Sequence, residues 1–258
     1  MNLDLTSKNA LVCGSTQGIG LAAAQELAIL GANVTLFARN SEKLNKALAT
    51  LDASKNQKHS TLVADFSDNN QVKEVVSTHD EFHILVNNTG GPPGGKAVDA
   101  DITEFTTAFA NHLLNNQLLA QALTPFMVSE GYGRIINIIS TSVKMPLNGL
   151  GVSNTIRGAV ASWSKTLANE LGCFGITINN VLPGATNTAR LSSIIESKAQ
   201  KLQKSIKEVS EAMQAEVPAK RFAQPNEVGA VVAFLASPAA GYINGINVPV
   251  DGGRTGCL

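Results

Sequence analysis

Cysteine, tyrosine and net charge are the scarce features of this 258-residue chain, which has 3 Cys, 2 Tyr and 1 Trp and offsets 20 Lys and Arg with 20 Asp and Glu. A formal net charge of zero leaves no basic footprint for nucleic acid and no field to steer an anionic partner. No apolar run approaches the roughly 18–20 residues that span a bilayer. The opening Met1-Asn2-Leu3-Asp4-Leu5 has no basic stretch ahead of an apolar core, so neither a membrane anchor nor an export signal is expected. Cys13, Cys173 and Cys257 are odd in number and far apart, with neither metal-ligand spacing nor a CxxC pair. They read as reduced packing residues, consistent with a cytoplasmic protein that holds no metal.

With 44% hydrophobic residues, 16% charged residues and 22 Gly, the composition is globular. Short β-rich apolar runs alternate with amphipathic stretches: Ala10 to Cys13 then Ile19 to Leu30, Asn33 to Phe37 then Ser41 to Leu51, Thr61 to Ala64 then Asn69 to Val76, and Ile84 to Val86. A helical region from Ile102 to about Glu130 follows, then a strand at Arg134 to Ile139, a helix at about Gly151 to Leu171 and a strand at Ile176 to Leu182. Leu191 to Val217 is charged and helical, Pro225 to Ala236 is another helix, and Ile246 to Val250 is a last strand. Nearly continuous apolar strands suit a parallel sheet covered on both faces. The expectation is one doubly wound α/β domain over residues 1–258. Ligands in such sheets sit beyond the carboxyl ends of the strands, so the loops after each strand are the places to search.

The first such loop reads Cys13-Gly14-Ser15-Thr16-Gln17-Gly18-Ile19-Gly20 and opens a helix. Glycines at 14, 18 and 20 allow a tight turn, close approach to a pyrophosphate and helix-on-sheet packing, while the helix N-terminus offers unpaired N–H groups to phosphate. The spacing is GxxxGxG, not the GxGxxG of the standard dinucleotide fingerprint, and an ordinary glycine-rich turn would read alike. Its place after the first strand favours the cofactor reading, with Ser15, Gln17 and Ile19 also at the contact. Where an NAD site usually carries a carboxylate after the second strand, this chain has none between Glu26 and Glu42 and has Arg39 instead. A guanidinium suits a ribose 2′-phosphate, so NADP(H) is favoured over NAD(H). Asp65 could accept a hydrogen bond from a base amine or cap the next helix. Asn87-Asn88-Thr89-Gly90 could hold backbone and ribose through side-chain amides or be turn chemistry.

Together with Gly133-Arg134-Ile135-Ile136-Asn137, Pro183-Gly184 with Thr188, and Val250-Asp251-Gly252-Gly253, these motifs make the chain resemble the short-chain dehydrogenase/reductases from end to end, especially the β-ketoacyl carrier-protein reductases. The resemblance implies a single Rossmann-like domain, an NAD(P) cofactor contacted by Asn87, Gly90, Pro183, Gly184 and Thr188, a homotetramer, a substrate lid over about 191–220, and an Asn-Ser-Tyr-Lys catalytic set. Ser140 matches the serine that hydrogen-bonds the substrate carbonyl. The Tyr-x-x-x-Lys of the family falls on Ser153-x-x-x-Arg157, and its helical asparagine on His112, beside Asn111.

These departures bear on the chemistry. An aliphatic hydroxyl is far less acidic than a phenol, so Ser153 in place of tyrosine removes much of the roughly 10²–10⁴-fold that general acid/base catalysis contributes. Arg157 keeps a permanent charge and can hold cofactor ribose hydroxyls, but it cannot shuttle a proton. The two tyrosines, Tyr132 and Tyr242, lie off the expected helix. His112 could donate a proton directly or through water, and Lys144 lies four residues past Ser140; equally, these are a satisfied helix histidine and a solvated lysine. Trp163, Leu167 and Leu171 recur at helical spacing and read as packing. The sequence therefore points to an NADP(H)-dependent oxidoreductase acting on a small-molecule carbonyl/alcohol pair, with a 3-oxoacyl thioester as the substrate by resemblance. The alternative is a catalytically degenerate NADP(H)-binding sensor, regulator or partner subunit.

Overall fold

The structure is a computed structural model that describes residues 1–257. Among the described residues, seven strands form one fully parallel sheet: β1 (Asn9–Cys13), β2 (Asn33–Ala38), β3 (Ser60–Val63), β4 (Ile84–Asn87), β5 (Gly133–Ile138), β6 (Ile176–Pro183) and β7 (Asn247–Val250). Their order is β3-β2-β1-β4-β5-β6-β7, so the direction of winding reverses between β1 and β4. That reversal opens a crevice at the carboxyl edge, where the expected cofactor loops lie.

Strand residues alternate between two cores. Ala10 and Val12 of β1, Ile84 and Val86 of β4, and Ile136 and Ile138 of β5 face one side, against Ala23, Ala24 and Leu27 of α1 (Gly18–Ile29) and Leu44 of α2 (Ser41–Leu48). Leu11, Leu85 and Ile135 face the other, against Val72 and Val76 of α3 (Asn69–Val76). This period-two alternation, buried on both faces, is what the near-continuous apolar strands predicted.

The helical region from Ile102 is interrupted. It divides into α4 (Ile102–Phe109), a π turn at Ala110–Leu114 and α5 (Asn115–Ser129), whose Leu119, Leu123 and Met127 complete the second core. Asparagines satisfy the carbonyls that the π turn displaces: Asn69 Nδ2 donates to Ala110 O at 3.2 Å and Asn115 Nδ2 to Asn111 O at 3.3 Å. The helix α6 (Gly151–Leu171) spans the expected range. The charged helical segment from Leu191 is a hairpin of α7 (Ala189–Leu202) and α8 (Ile206–Ala215). Gln203 adopts a left-handed conformation (φ +51°) between them, and Ser205 with Glu208 forms a capping box that starts α8. Leu191, Ile195, Ala199 and Val209 give this hairpin a small core of its own. The last helix, α9 (Pro225–Ala236), packs on α1, where Gly229 lies too close to the Ala22 backbone to admit a side chain.

The cysteines depart from expectation in part. Cys13 packs in the core, where burial pushes its thiol pKa up, whereas Cys173 and Cys257 are exposed free thiols and not packing residues. Among the described residues, no helix is long and apolar enough to cross a membrane.

Candidate active site

The turn after β1 is shaped by contacts that only glycine tolerates. Gly14 and Gly18 have φ of +58° and +59°, and a Cβ on Gly14 would sit 2.5 Å from the Asn88 carbonyl. A Cβ on Gly20 would overlap the Gly14 carbonyl. Asn88 fastens this turn to β4, its Nδ2 donating to Cys13 O at 3.3 Å and Gly14 O at 3.1 Å. At the start of α1 the N-cap Gln17 makes no side-chain cap and the first turn carries no acidic residue. Its N–H groups are thus unclaimed by a cap, the arrangement that receives a phosphate. Ser15 is fully buried, and its hydroxyl accepts from Phe37 N at 3.0 Å, which makes the side chain a strut between strand ends. Gln17 is exposed at the mouth, and Ile19 packs against the first core.

The loop between β6 and α7 faces that turn. Thr188 Cγ2 lies 3.3 Å from the point a Gly18 Cβ would occupy, so the two loops approach closely there. Pro183 ends β6, and Gly184 is bare because a side chain there would press within 2.8 Å of Asp251.

At the end of β2, Arg39 is exposed and its Nη1 stands 3.7 Å from Asp65 Oδ2. The Ser67 backbone N–H, 2.9 Å from Asp65 Oδ1, is the main cause holding that carboxyl below its ordinary pKa, with Arg39 contributing. Asp65 does not cap α3: Asp68 does, accepting from the backbone N–H groups of Asn70 and Gln71. A carboxylate and a guanidinium are therefore held together, both accessible, near the glycine turn after β1.

The other half of the site is built on β4, β5 and α6. Asn87, Asn137, Asn180 and Asn247 sit in register on four adjacent strands, each donating through Nδ2 to the Oδ1 of the next, at 2.8, 2.9 and 2.8 Å. The Asn87 amide nitrogen is thus committed within the sheet, while its buried Oδ1 has no partner among the described residues. Gly90 follows on the exposed loop. His112 occupies the π turn, buried, with Nδ1 2.6 Å from Thr89 Oγ1. Burial first, and then the charge of Arg157, push its pKa down to about 3. Both effects disfavour an imidazolium at this position.

Ser153 and Arg157 lie one turn apart on α6. Arg157 is 9% exposed; its Nη1 donates to Ile138 O at 2.7 Å, and its Nε has no partner among the described residues. Burial is the main cause, ahead of repulsion from Arg190, that lowers its pKa to about 10, so it remains a cation at neutral pH. Ser140 lies two residues beyond Ile138, where its hydroxyl accepts from Ser142 N at 3.1 Å. The loop after β4 is docked on the start of α6 by Gly95 N to Gly149 O (2.8 Å) and Gly151 N to Gly95 O (2.9 Å). Thr89, Gly91, His112, Ile138 and Arg157 thereby meet at one end of the crevice.

A family model described as Enoyl-(Acyl carrier protein) reductase matches residues 14–255, and a protein of Oryctolagus cuniculus, dehydrogenase/reductase SDR family member 4, is 31% identical over 96% of this chain and 94% of its own. The chain belongs to the short-chain dehydrogenase/reductase family. Within it, the gluconate 5-dehydrogenase of Gluconobacter oxydans is 30% identical over 97% of this chain and 96% of its own length. The L-sorbose reductase of Gluconobacter frateurii, solved with NADPH and L-sorbose, superposes with a TM-score of 0.93 at 30% identity, over the whole of both chains.

In this short-chain dehydrogenase/reductase neither tyrosine reaches the crevice from α6. Tyr132 precedes β5 and donates to Ala236 O at 2.6 Å, with Lys8 and Arg134 over its ring, while Tyr242 lies beyond α9 and is fully exposed. Lys144 sits at the end of the short turn after Ser140. Two features of the site went unread in the sequence. Arg190, in the first turn of α7, donates through Nη2 to Pro92 O at 2.9 Å and so reaches the loop after β4 from the hairpin. Nothing in its local pattern marks it. The ladder from Asn87 to Asn247 did leave a signal, an asparagine in each of four apolar strands, where an unpaired amide would be costly to bury.

Proposed function

We propose that this chain is an NADP(H)-dependent oxidoreductase interconverting a carbonyl and an alcohol. The observation that carries the reading is the uncapped start of α1, faced by Thr188, with Arg39 exposed at the end of β2 to meet a 2′-phosphate. Gly14, Gly18 and Gly20 supply the close approach, and the unpartnered Asn87 Oδ1 and Arg157 Nε supply hydrogen-bonding groups deeper in the crevice. When bound, NADPH supplies hydride to a carbonyl carbon. Ser140 orients the oxygen, and the fixed charge of Arg157 favours the negative charge that develops there. The proton comes from the Ser153 hydroxyl or from water. Neutral His112 with Thr89 can relay it but not release it as an imidazolium. The α7–α8 hairpin acts as the lid, and the protein works as a homo-oligomer, a tetramer by resemblance. A 3-oxoacyl thioester, by the resemblance read from the sequence, and a sugar-like substrate, by the gluconate 5-dehydrogenase and L-sorbose reductase, are the two substrate types considered.

The reading is tested by NADPH oxidation over 3-oxoacyl thioesters, ketoses, ketones and aldehydes, comparing wild type with Ser153→Tyr/Arg157→Lys. Wild-type turnover at rates ordinary for an oxidoreductase supports it. A second reading, a catalytically degenerate NADP(H)-binding sensor or partner subunit, is favoured by the neutral His112 and by the remote placement of both tyrosines. It predicts saturable NADPH binding without turnover in wild type and activity only in the double variant.

A further inference from the structure

Arg157 and Arg190 stand on different helices, yet their cationic ends converge. A methyl group on Gly91 would lie 3.6 Å from Arg157 Nη2 and 3.8 Å from Arg190 Nη2, so both reach within 4 Å of one point above the loop after β4. Neither guanidinium forms an ion pair among the described residues. Arg157 is more than nine-tenths buried with its Nε unpartnered, an arrangement that is unfavourable for a cation unless an anion completes it. Arg190 occupies the first turn of a 14-residue helix, where the macrodipole disfavours a cation, and no acidic side chain in that turn offsets it. The two charges also repel each other, which adds to the burial that lowers the Arg157 pKa. Two mutually repelling guanidiniums facing a bare glycine are what an anionic ligand would reconcile.

We propose that Arg157 and Arg190 form a carboxylate-binding cradle above Gly91, and that the substrate is a carbonyl acid or the corresponding hydroxy acid. The proposal rests on the oxidoreductase reading above and names its substrate class. The free Nε and Nη2 of Arg157 present a planar pair of donors that matches the two oxygens of a carboxylate, and Arg190 closes the opposite side from the hairpin. With Nη1 fixed on Ile138 O, the carboxylate is anchored close to the end of β5, two residues before Ser140, which the reading above gives the carbonyl oxygen of a short acid.

The test uses the full-length protein and its Arg190→Ala, Arg190→Lys and Arg190→Glu variants, since exposed Arg190 can be changed without disturbing the core. NADPH-loaded protein is titrated calorimetrically, and assayed for turnover, with short 2-oxo and 3-oxo acids beside their methyl esters, with D-gluconate beside L-sorbose, and with inorganic phosphate. The expected result is at least a 10-fold preference for acid over ester, expressed in KM, which Arg190→Ala and Arg190→Glu abolish and Arg190→Lys partly keeps, while NADPH affinity is unchanged. That magnitude corresponds to roughly 1.4 kcal/mol, of the order of a charge-assisted hydrogen bond. Equal binding of acid and ester, an acid preference that survives Arg190→Ala, phosphate binding at least as tight as the acids, or a loss confined to NADPH would each overturn the cradle. Acid binding without any turnover would overturn the oxidoreductase reading and leave the cradle standing.

Discussion

His112 Nδ1 and Thr89 Oγ1 lie 2.6 Å apart, joining the π turn between α4 and α5 to the loop after β4. This contact places an imidazole where burial and a neighbouring guanidinium keep it neutral, with its pKa lowered to about 3. In the unfolded chain the ring titrates near 6.5. Between about pH 6.5 and 3 the unfolded state therefore binds the extra proton, and stability present above pH 6.5 is lost as the pH falls. The slope this one group adds is at most about 1.4 kcal/mol per pH unit. Urea unfolding of wild type and His112→Gln at pH 7, 6, 5 and 4 should show the wild type losing stability faster. Parallel curves would mean that the ring titrates in the folded protein as it does in the unfolded chain.

The same neutral ring governs the pH dependence of any activity. A wild-type rate profile should lack an ionisation near pH 6.5, and His112→Gln should lower kcat without moving the profile. An ionisation near 6.5 that disappears in His112→Gln would restore the histidine as a general acid.

The glycine turn after β1 gives a structural prediction. A Gly20→Ala methyl would overlap the Gly14 carbonyl, whereas Asn88→Ala removes only two hydrogen bonds, those to Cys13 O and Gly14 O. Asn88→Ala should cost about 1–3 kcal/mol and weaken NADPH binding through a looser turn. Gly20→Ala should cost at least as much and abolish binding, because the backbone itself must move. Denaturant midpoints and NADPH fluorescence titrations read both. Retained NADPH affinity in Gly20→Ala would place the cofactor elsewhere.

Much of this arrangement was legible in the sequence because it follows from short-range pattern. Strand positions such as Leu11, Val12 and Leu85 are apolar on both faces, which only a doubly covered parallel sheet accommodates, and Gly14, Gly18 and Gly20 mark a turn that no other residue fits. Element ends were less legible where tertiary contacts decide them. The π turn depends on Asn69, which reaches Ala110 O from a helix 41 residues earlier in the chain. The break in the hairpin was readable in principle, since Ser205-Ile206-Lys207-Glu208 has capping-box spacing. The fate of His112 was not readable at all: its charge state depends on burial and on Arg157, 45 positions later in the chain. Nor could pattern reveal that Arg190 faces Gly91 across the crevice, since 98 residues separate it from the Pro92 carbonyl to which it donates.

The asparagine ladder makes a prediction about stability that is independent of function. Asn137 stands at its centre, accepting from Asn87 and donating to Asn180, and its amide also reaches Ser164 Oγ at 3.3 Å. Asn137→Ala orphans a buried donor on one side and a buried acceptor on the other, a loss of about 2–6 kcal/mol at roughly 1–3 kcal/mol per unsatisfied group. The urea midpoint should fall with little change in the slope of the transition, because the surface exposed on unfolding is nearly the same. A loss below about 1 kcal/mol would mean that water replaces the missing amide, and the ladder would then be no more than a coincidence of register.

Arg39 should decide the cofactor. It is exposed, and its one ionic partner among the described residues is Asp65 at 3.7 Å, a loose contact from which the guanidinium can swing to an incoming phosphate. A 2′-phosphate offers Arg39 a charge-assisted pair that a ribose hydroxyl does not, worth roughly 1.5–3 kcal/mol, so NADPH should bind about 10–100 times more tightly than NADH. Arg39→Glu places a carboxylate where the phosphate would sit and should reverse that order by repulsion on one side and a ribose hydrogen bond on the other. Because Asp65 then meets a second carboxylate, the double variant Arg39→Glu/Asp65→Asn should bind NADH more tightly than the single one. Since salt screens exposed charges, the wild-type preference should shrink between 0.05 and 0.5 M NaCl. Fluorescence titrations with both cofactors read every arm, and equal affinities in wild type at low salt would remove Arg39 from the cofactor site.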